Sequence, residues 1–429
     1  MSYKKQLMKS NVVSSIFLKN VSKLALGAGI AQLITILFSP ILTRLFLPEQ
    51  YGIFALYVSL ITILSVFSTC RYEFAIVLPK FKRRAEELYF LCIFITVLVS
   101  ILFFVLAFLF GKKILIFLNF DSLSDYIFLI PLSIFLAGVT QTNDLWLNRI
   151  EKYKHMGFLR IIQSLAIATV TILLGYLFPS ASSLIFGNLI GMTIFMVAGF
   201  IFLKGSIASH LQKIKFKNLL ASFRRNIDFL KFGTPAGLLS VGSYQSLFIF
   251  SGFYFGSYIL GIFYLLERII GLPSSVLGNS LGQVFYRSIS KIEPKKCFNE
   301  LISFLKRLII LSLALHLFLY FGLYYLLVPI FGETWSDTTQ YFIFFIIVGS
   351  FSFIFAPITY MFNYLKIQNA NLVWQGLWLI TNLILFIICY LYALDVKDFL
   401  ILYVIKQCLL YFMGITGIII YTKRIQEVS

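Results

Sequence analysis

Charge is scarce in this sequence. Asp, Glu, Lys and Arg together make up 12% of the 429 residues, about half the share of a soluble globular domain, which excludes an ordinary water-solvated fold. Acidic residues are scarcer than basic ones, 17 against 36. The five cysteines (Cys70, Cys92, Cys297, Cys389 and Cys408) are odd in number and lack ligand-like spacing. Neither a disulfide framework nor a zinc site is expected, and no cofactor is called for. No nucleotide-binding motif is present. The N-terminal Lys-rich stretch has no small-residue cleavage site after it, so the first apolar segment reads as a retained helix.

Apolar residues fill the space left by charge, at 60% of the chain. Residues 88–110 contain no charge, and residues 158–178 carry only Arg160. Roughly 20 such residues cross the ~30 Å hydrocarbon layer as a helix. Hydrophobic windows predict twelve spans, over 24–44, 53–78, 88–110, 126–147, 158–178, 183–203, 232–252, 257–286, 305–328, 340–361, 372–391 and 399–421. Pro131, Pro273 and Pro357 fall inside spans, where neighbouring helices can satisfy the freed carbonyls. The expected fold is an all-α polytopic membrane protein.

The loops fix an orientation. Of the 36 Lys and Arg, 29 fall in the two termini and the loops on one side of the spans, and 4 (Arg44, Lys112, Lys113 and Lys397) on the other. The positive-inside rule places the rich side, and both termini, in the cytoplasm of a bacterial inner membrane. The net charge of +19 is thus a topology signal. Its dispersal over short loops argues against nucleic acid and for anionic lipid headgroups as the partner. Residues 204–231 form the longest polar stretch. They separate an N-terminal six-span lobe (1–203) from a C-terminal one (232–429), and their apolar residues recur near helical spacing, as in a helix lying in the membrane interface. A solvated linker explains the stretch equally well.

The two halves carry a repeat. Gly52-Ile53-Phe54-Ala55-Leu56 opens the second span and Gly261-Ile262-Phe263-Tyr264-Leu265 the eighth, 209 residues later. With an even number of spans in each half, the halves are expected to be parallel repeats, two pseudo-symmetric six-helix lobes around a central cleft. Leu42-Thr43-Arg44-Leu45-Phe46-Leu47-Pro48-Glu49-Gln50-Tyr51-Gly52-Ile53-Phe54 resembles the L-T-R-x-L-x-P-E-x-Y-G-x-F segment of Wzx-type polysaccharide flippases. These belong to the multidrug/oligosaccharidyl-lipid/polysaccharide exporter superfamily. Asn148–Lys154, Pro235-Ala236-Gly237 and Leu260–Tyr264 are similar to further segments of that family. The resemblance implies a flippase that moves a polyprenyl-pyrophosphate-linked oligosaccharide, of the undecaprenyl type, to the outer leaflet. The glycan would be an O-antigen (lipopolysaccharide) or capsule repeat unit, and other polysaccharide assembly proteins would be partners. The family offers no catalytic motif, and no enzymatic activity is expected.

Six charges lie away from the extreme ends of the spans: Arg71, Glu73, Asp144, Glu267, Arg268 and Lys406. Each costs on the order of 3 kcal/mol at the bilayer centre, so it faces protein or water. Arg268 is predicted roughly 16 Å from the outer end of its helix, near the midplane. Small and polar residues at helical spacing mark the faces turned from lipid. On the eighth span these are Tyr264, Arg268, Ser275 and Asn279, with Glu267 and Gly271 adjacent. Gly237, Ser240 and Tyr244 play that part on the seventh, and Gln32 and Thr35 on the first. Close packing explains the Gly and Ser stripes equally well. A guanidinium binds pyrophosphate through paired, charge-assisted hydrogen bonds. Arg71 and Arg268 are therefore the expected headgroup ligands and Lys406 a further candidate, with Gln32, Tyr244, Gln245 and Tyr264 on sugar hydroxyls. Glu73, Asp144 and Glu267 are candidates for ion coupling. His316 is expected to be a buried histidine satisfied by a backbone or hydroxyl group.

Two other functions fit parts of the sequence. A cation-coupled drug antiporter of the same superfamily shares the layout but should bias its embedded charges towards acids, whereas here three are basic and three acidic. A membrane glycan polymerase or ligase needs a large outer loop or domain, which the short outer connections do not supply.

Overall fold

The computed structural model describes residues 26–207, 216–289, 292, 294–365 and 367–428. Among these residues all regular structure is helical. The long helices are α1 (Leu26–Leu45), α2 (Pro48–Ser68), α3 (Lys82–Phe117), α4 (Leu129–Arg149), α5 (Tyr153–Leu177), α6 (Ala181–Leu203), α7 (Phe216–Arg225), α8 (Thr234–Tyr254), α9 (Gly256–Ile289), α10 (Pro294–Leu323), α11 (Thr338–Ile358), α12 (Gln368–Leu391) and α13 (Val396–Val428). All but α7 coincide with the twelve expected spans. The protein is an all-α polytopic membrane protein, and ten of its described helices are long and apolar enough to cross a bilayer. The other two spans, α4 and α8, are each 21 residues long. They dilute their apolar content with Asn143, Asp144, Ser243 and Gln245.

Polarity is inverted relative to a water-soluble protein. Ile101, Leu102, Phe104, Phe108 and Phe110 of α3 are exposed, while Ser68, Thr96, Ser133, Thr142 and Asn143 are buried. An exposed apolar surface of that extent is stable only where lipid is the solvent. Each of these five buried polar residues has a hydrogen-bond partner inside the protein. Tyr57 Oη and Ser133 Oγ lie 2.7 Å apart, and Tyr89 donates to Asn143 Oδ1 over 2.7 Å. This pairing accounts for the polar character of α4, which faces its neighbours and not lipid.

The chain clusters into two units. The first comprises Met1–Phe38 and Tyr57–Leu238, the second Ser39–Leu56 and Leu239–Ser429. In the first, α5 packs along α6, and α3 and α6 along α4. Residues 208–215 of the 204–231 stretch lie outside the described residues. Residues 216–225 form α7, whose Phe223 ring stacks on Tyr72 at 5.2 Å, while Tyr72 Oη donates to the Phe223 carbonyl. In the second, α11 lies against α9, α10 and α13.

The second span is not one helix over 53–78, as the hydropathy predicts. It stops at Ser68, and Cys70 and Arg71 take positive φ of 49° and 62° before a 3-10 helix over Tyr72–Val77. Side chains compensate for this break. Glu73 accepts from Thr69 Oγ1, and Arg149 Nη1 donates to the Ile76 carbonyl over 3.0 Å. Hydropathy averages over such a break because the residues beyond it, Phe74 to Leu78, are as apolar as the helix before it.

Within the second unit the starts of α2 and α9 cross at backbone contact. A Cβ on Gly52 would sit 1.8 Å from the Ser257 carbonyl oxygen, and a Cβ on Gly261 would sit 1.8 Å from that of Pro48. Residues 48 and 52 correspond to 257 and 261 at the 209-residue offset of the repeat. The contact is therefore reciprocal, the pattern a two-fold axis imposes on a crossing. Glycine is required at both positions, and this requirement is the physical content of the repeated Gly-Ile-Phe. Trp335, fully buried, locks the same region by donating from Nε1 to the Thr43 carbonyl over 2.8 Å.

Candidate substrate-binding surfaces

In the first unit the break after α2 positions Arg71. Its Nη1 lies 3.8 Å from Glu73 Oε1, and its guanidinium carbon sits 5.5 Å from the centre of the Phe74 ring. The guanidinium lies across Gly237 of α8, where a Cβ would come within 2.4 Å of Nε. Glu73 is almost wholly buried (3%), whereas Arg71 keeps 23% of its side chain open. A buried carboxylate, an aromatic face and a missing Cβ together hold the guanidinium while leaving part of it accessible. Glu73 thus works here as the anchor of Arg71. Asp144 pairs with Arg160 of α5 at 3.5 Å. Gln32 is half-buried on α1, about one and a half turns of helix from the point where Gly27 meets Gly157 of α5.

The second unit holds the other candidates. Tyr244 of α8, largely exposed, donates to Glu267 Oε1 of α9 over 2.9 Å. The adjacent Arg268 projects about 100° away from Glu267 on the helix, a poor disposition for a simple mutual pair. Arg268 is half-buried and acts electrostatically on Tyr51 and Tyr264. Tyr264 is ringed by Tyr51, Phe54 and Phe248 at centroid distances of 6.0–6.5 Å. Gln245 is half-buried on α8. The side chains of Ser275 and Asn279, on the same expected stripe as Arg268, lie outside the described residues. His316 is buried with Nδ1 2.9 Å from the Ser312 carbonyl, the backbone satisfaction expected of it.

Lys406 has partners that its own helix does not reveal. Its Nζ donates to Asn382 Oδ1 of α12 and lies 4.8 Å from the Tyr403 ring centre. Asn382 in turn donates to the Ser243 carbonyl and Ser246 Oγ of α8, at 3.0 and 2.7 Å. Asn371, Gln375, Trp378 and Asn382 recur at 4-3-4 spacing along α12. That spacing is the signal that singled out the seventh and eighth spans, and the same test applied to the eleventh finds Asn382. The structure therefore joins Arg71 with Glu73 and Tyr244 with Glu267, and sets Tyr264 about one turn from Arg268 on α9. It leaves Lys406 and Glu267 unpaired with each other.

A profile described as "Polysaccharide biosynthesis protein" matches residues 41–340. No match is found among curated protein sequences. Among solved structures, the lipid II flippase MurJ in an inward closed conformation aligns with a TM-score of 0.74 at 15% identity, covering 93% of this chain and 87% of that one. An inward-facing multidrug transporter of the MATE family aligns with a TM-score of 0.60 at 13% identity, over 95% of each chain. At such identities the likeness establishes the fold alone, the helical architecture shared with those two proteins. The profile spans well over half of the sequence, and the chain belongs to the polysaccharide biosynthesis protein family.

Proposed function

We propose that this protein is a flippase that carries a polyprenyl-pyrophosphate-linked oligosaccharide from the cytoplasmic to the outer leaflet of a bacterial inner membrane. The observation that carries the reading is the set of basic side chains held within the spanning segments. Arg71 is seated on Gly237 and Glu73, Arg268 lies among tyrosines, and Lys406 is tied to Asn382. A cation in a spanning segment costs on the order of 3 kcal/mol unless it is used or neutralised. A pyrophosphate crossing the bilayer is an anion that such groups can bind. Membership of a polysaccharide biosynthesis family supplies the sugar.

On this reading Arg71 and Arg268 bind the pyrophosphate, and Gln32, Tyr244, Gln245 and Tyr264 hydrogen-bond sugar hydroxyls. The two sequence halves rock to expose the load to each side in turn, with both termini and the basic loops in the cytoplasm. The polyprenyl tail stays in lipid, and no bond is made or broken, so the protein is a transporter and not an enzyme. Glu267, linked to Tyr244, is the best placed of the three acids to couple an ion, since Glu73 and Asp144 already have cationic partners. The glycan is an O-antigen or capsule repeat unit, handed on to other assembly proteins.

The test is complementation of a flippase-deficient strain with Arg268→Ala, protein abundance being measured alongside. Export should be abolished at normal abundance and partly restored by Arg268→Lys, which keeps the charge but not the bidentate fork. Full export by Arg268→Ala at normal abundance removes this residue from the mechanism.

A further inference from the structure

Lys406 has no acidic partner among the described residues, although it lies on a spanning helix. Its ammonium has three hydrogens to donate, and Asn382 Oδ1 takes one of them. The Asn382 side chain cannot turn away, because its amide hydrogens are committed to the Ser243 carbonyl and to Ser246 Oγ and the residue is buried. The Tyr403 ring closes another side, and its hydroxyl accepts from Gln407 Nε2 over 2.8 Å. Glu267 does not neutralise Lys406; its bound partner is Tyr244. The lysine is thus held in one place by neutral groups, with donor capacity left over.

Next to this cation lies an aromatic surface. α12 and α13 run antiparallel, with Asn382 opposite Lys406, Trp378 opposite Tyr411, and Trp374 opposite Gly414. Tyr411 is buried and backs the Trp378 ring at a centroid distance of 5.2 Å, while Trp378 itself is half-buried and keeps part of its ring open. One helical turn, about 5.4 Å of rise, separates the Asn382 level from the Trp378 level. Sugar rings present C–H groups to the negative faces of aromatic rings. A cation one turn from such a face matches a sugar that carries an anionic oxygen group on a neighbouring atom.

We propose that Lys406, positioned by Asn382, together with Trp378, which Tyr411 backs from the core, binds a sugar joined to an anionic oxygen group, either a sugar phosphate or a sugar carboxylate. The inference rests on the flippase reading and names the part of the glycolipid that the second unit grips. A sugar phosphate would come from the carrier linkage, and a carboxylate from an acidic sugar within the glycan.

The test uses the full-length protein in lipid nanodiscs. N-acetylglucosamine 1-phosphate, glucuronate, N-acetylglucosamine and inorganic phosphate are each titrated by tryptophan fluorescence and by thermal melting. One or both anionic sugars should saturate, with the neutral sugar and bare phosphate about tenfold weaker or worse. Lys406→Gln and Asn382→Leu should weaken the anionic sugar by about tenfold, while Lys406→Arg retains it. Saturation by the sugar phosphate alone assigns the anion to the carrier linkage, and by glucuronate alone to the glycan. Failure of both anionic sugars to saturate, or equal binding by Lys406→Gln, overturns the site. Loss of export in Lys406→Gln with unchanged probe binding also overturns it, in favour of a proton-coupling lysine. If Lys406→Gln exports at the wild-type level, the site is refuted and the flippase reading stands. If the wild-type gene fails to restore glycan export to a deletion strain, the flippase reading itself fails.

Discussion

Replacing Gly52 or Gly261 with alanine tests the crossing of α2 and α9 directly. Each new Cβ would fall 1.8 Å from a carbonyl oxygen on the other helix. Carbon and oxygen in a favourable C–H···O contact sit about 3.3–3.6 Å apart, so the helices must part by roughly 1.5 Å at this point. That movement would disturb the Trp335–Thr43 hydrogen bond and the Tyr51–Trp335 ring contact beside it. Forcing extra volume into a packed interface costs about 1–3 kcal/mol, the destabilisation expected of either single variant. The two substitutions enter the same crossing from opposite sides, so the separation forced by the first makes room for the second. The double variant should therefore melt close to either single one, giving a coupling comparable to one single effect. Thermal melting of the four proteins in nanodiscs at one scan rate reads this out. Wild-type stability in both single variants, or strictly additive losses in the double, would refute the geometry.

Other expectations concern the remaining groups. Gly237→Ala should displace the Arg71 guanidinium, whose Nε lies 2.4 Å from the new Cβ position; complementation should show an export loss matching Arg71→Ala at normal abundance. His316→Leu should leave export and its pH profile unchanged, because the ring is buried against the Ser312 carbonyl and contributes packing. Substituted-cysteine labelling should reach Pro179 and Ser257 from the outer face and Lys204 from the cytoplasmic face; cytoplasmic labelling at Ser257 would invalidate the twelve-span topology.

The helical spans were legible because lipid imposes a simple rule, long apolar runs interrupted by charged loops. α4 and α8 fall below the apolar standard of the other ten, yet their hydrophobic windows still identify them. The break at Cys70 and Arg71 was illegible because neither residue is a glycine and the left-handed turn is held by contacts from Thr69, Glu73 and Arg149. The repeated Gly-Ile-Phe could be read as a repeat, but its physical basis, reciprocal backbone contact, needed coordinates. Among the candidate residues, charge alone singled out Arg71, Glu267 and Lys406. Their partners were harder to see, since Gly237 is 166 residues from Arg71 and Asn382 is 24 from Lys406. Only periodicity along α12 pointed to Asn382.

The most direct test of the central claim is the sidedness of lipid-linked sugars in cells lacking this gene. Membrane vesicles of defined orientation are probed with an impermeant lectin or oxidant, and the lipid-linked oligosaccharide is then quantified in each leaflet. A flippase predicts that the complete repeat unit accumulates on the cytoplasmic leaflet, and that the wild-type gene, but not Arg268→Ala, returns it to the outer one. An unchanged distribution between leaflets in the deletion strain would contradict the account.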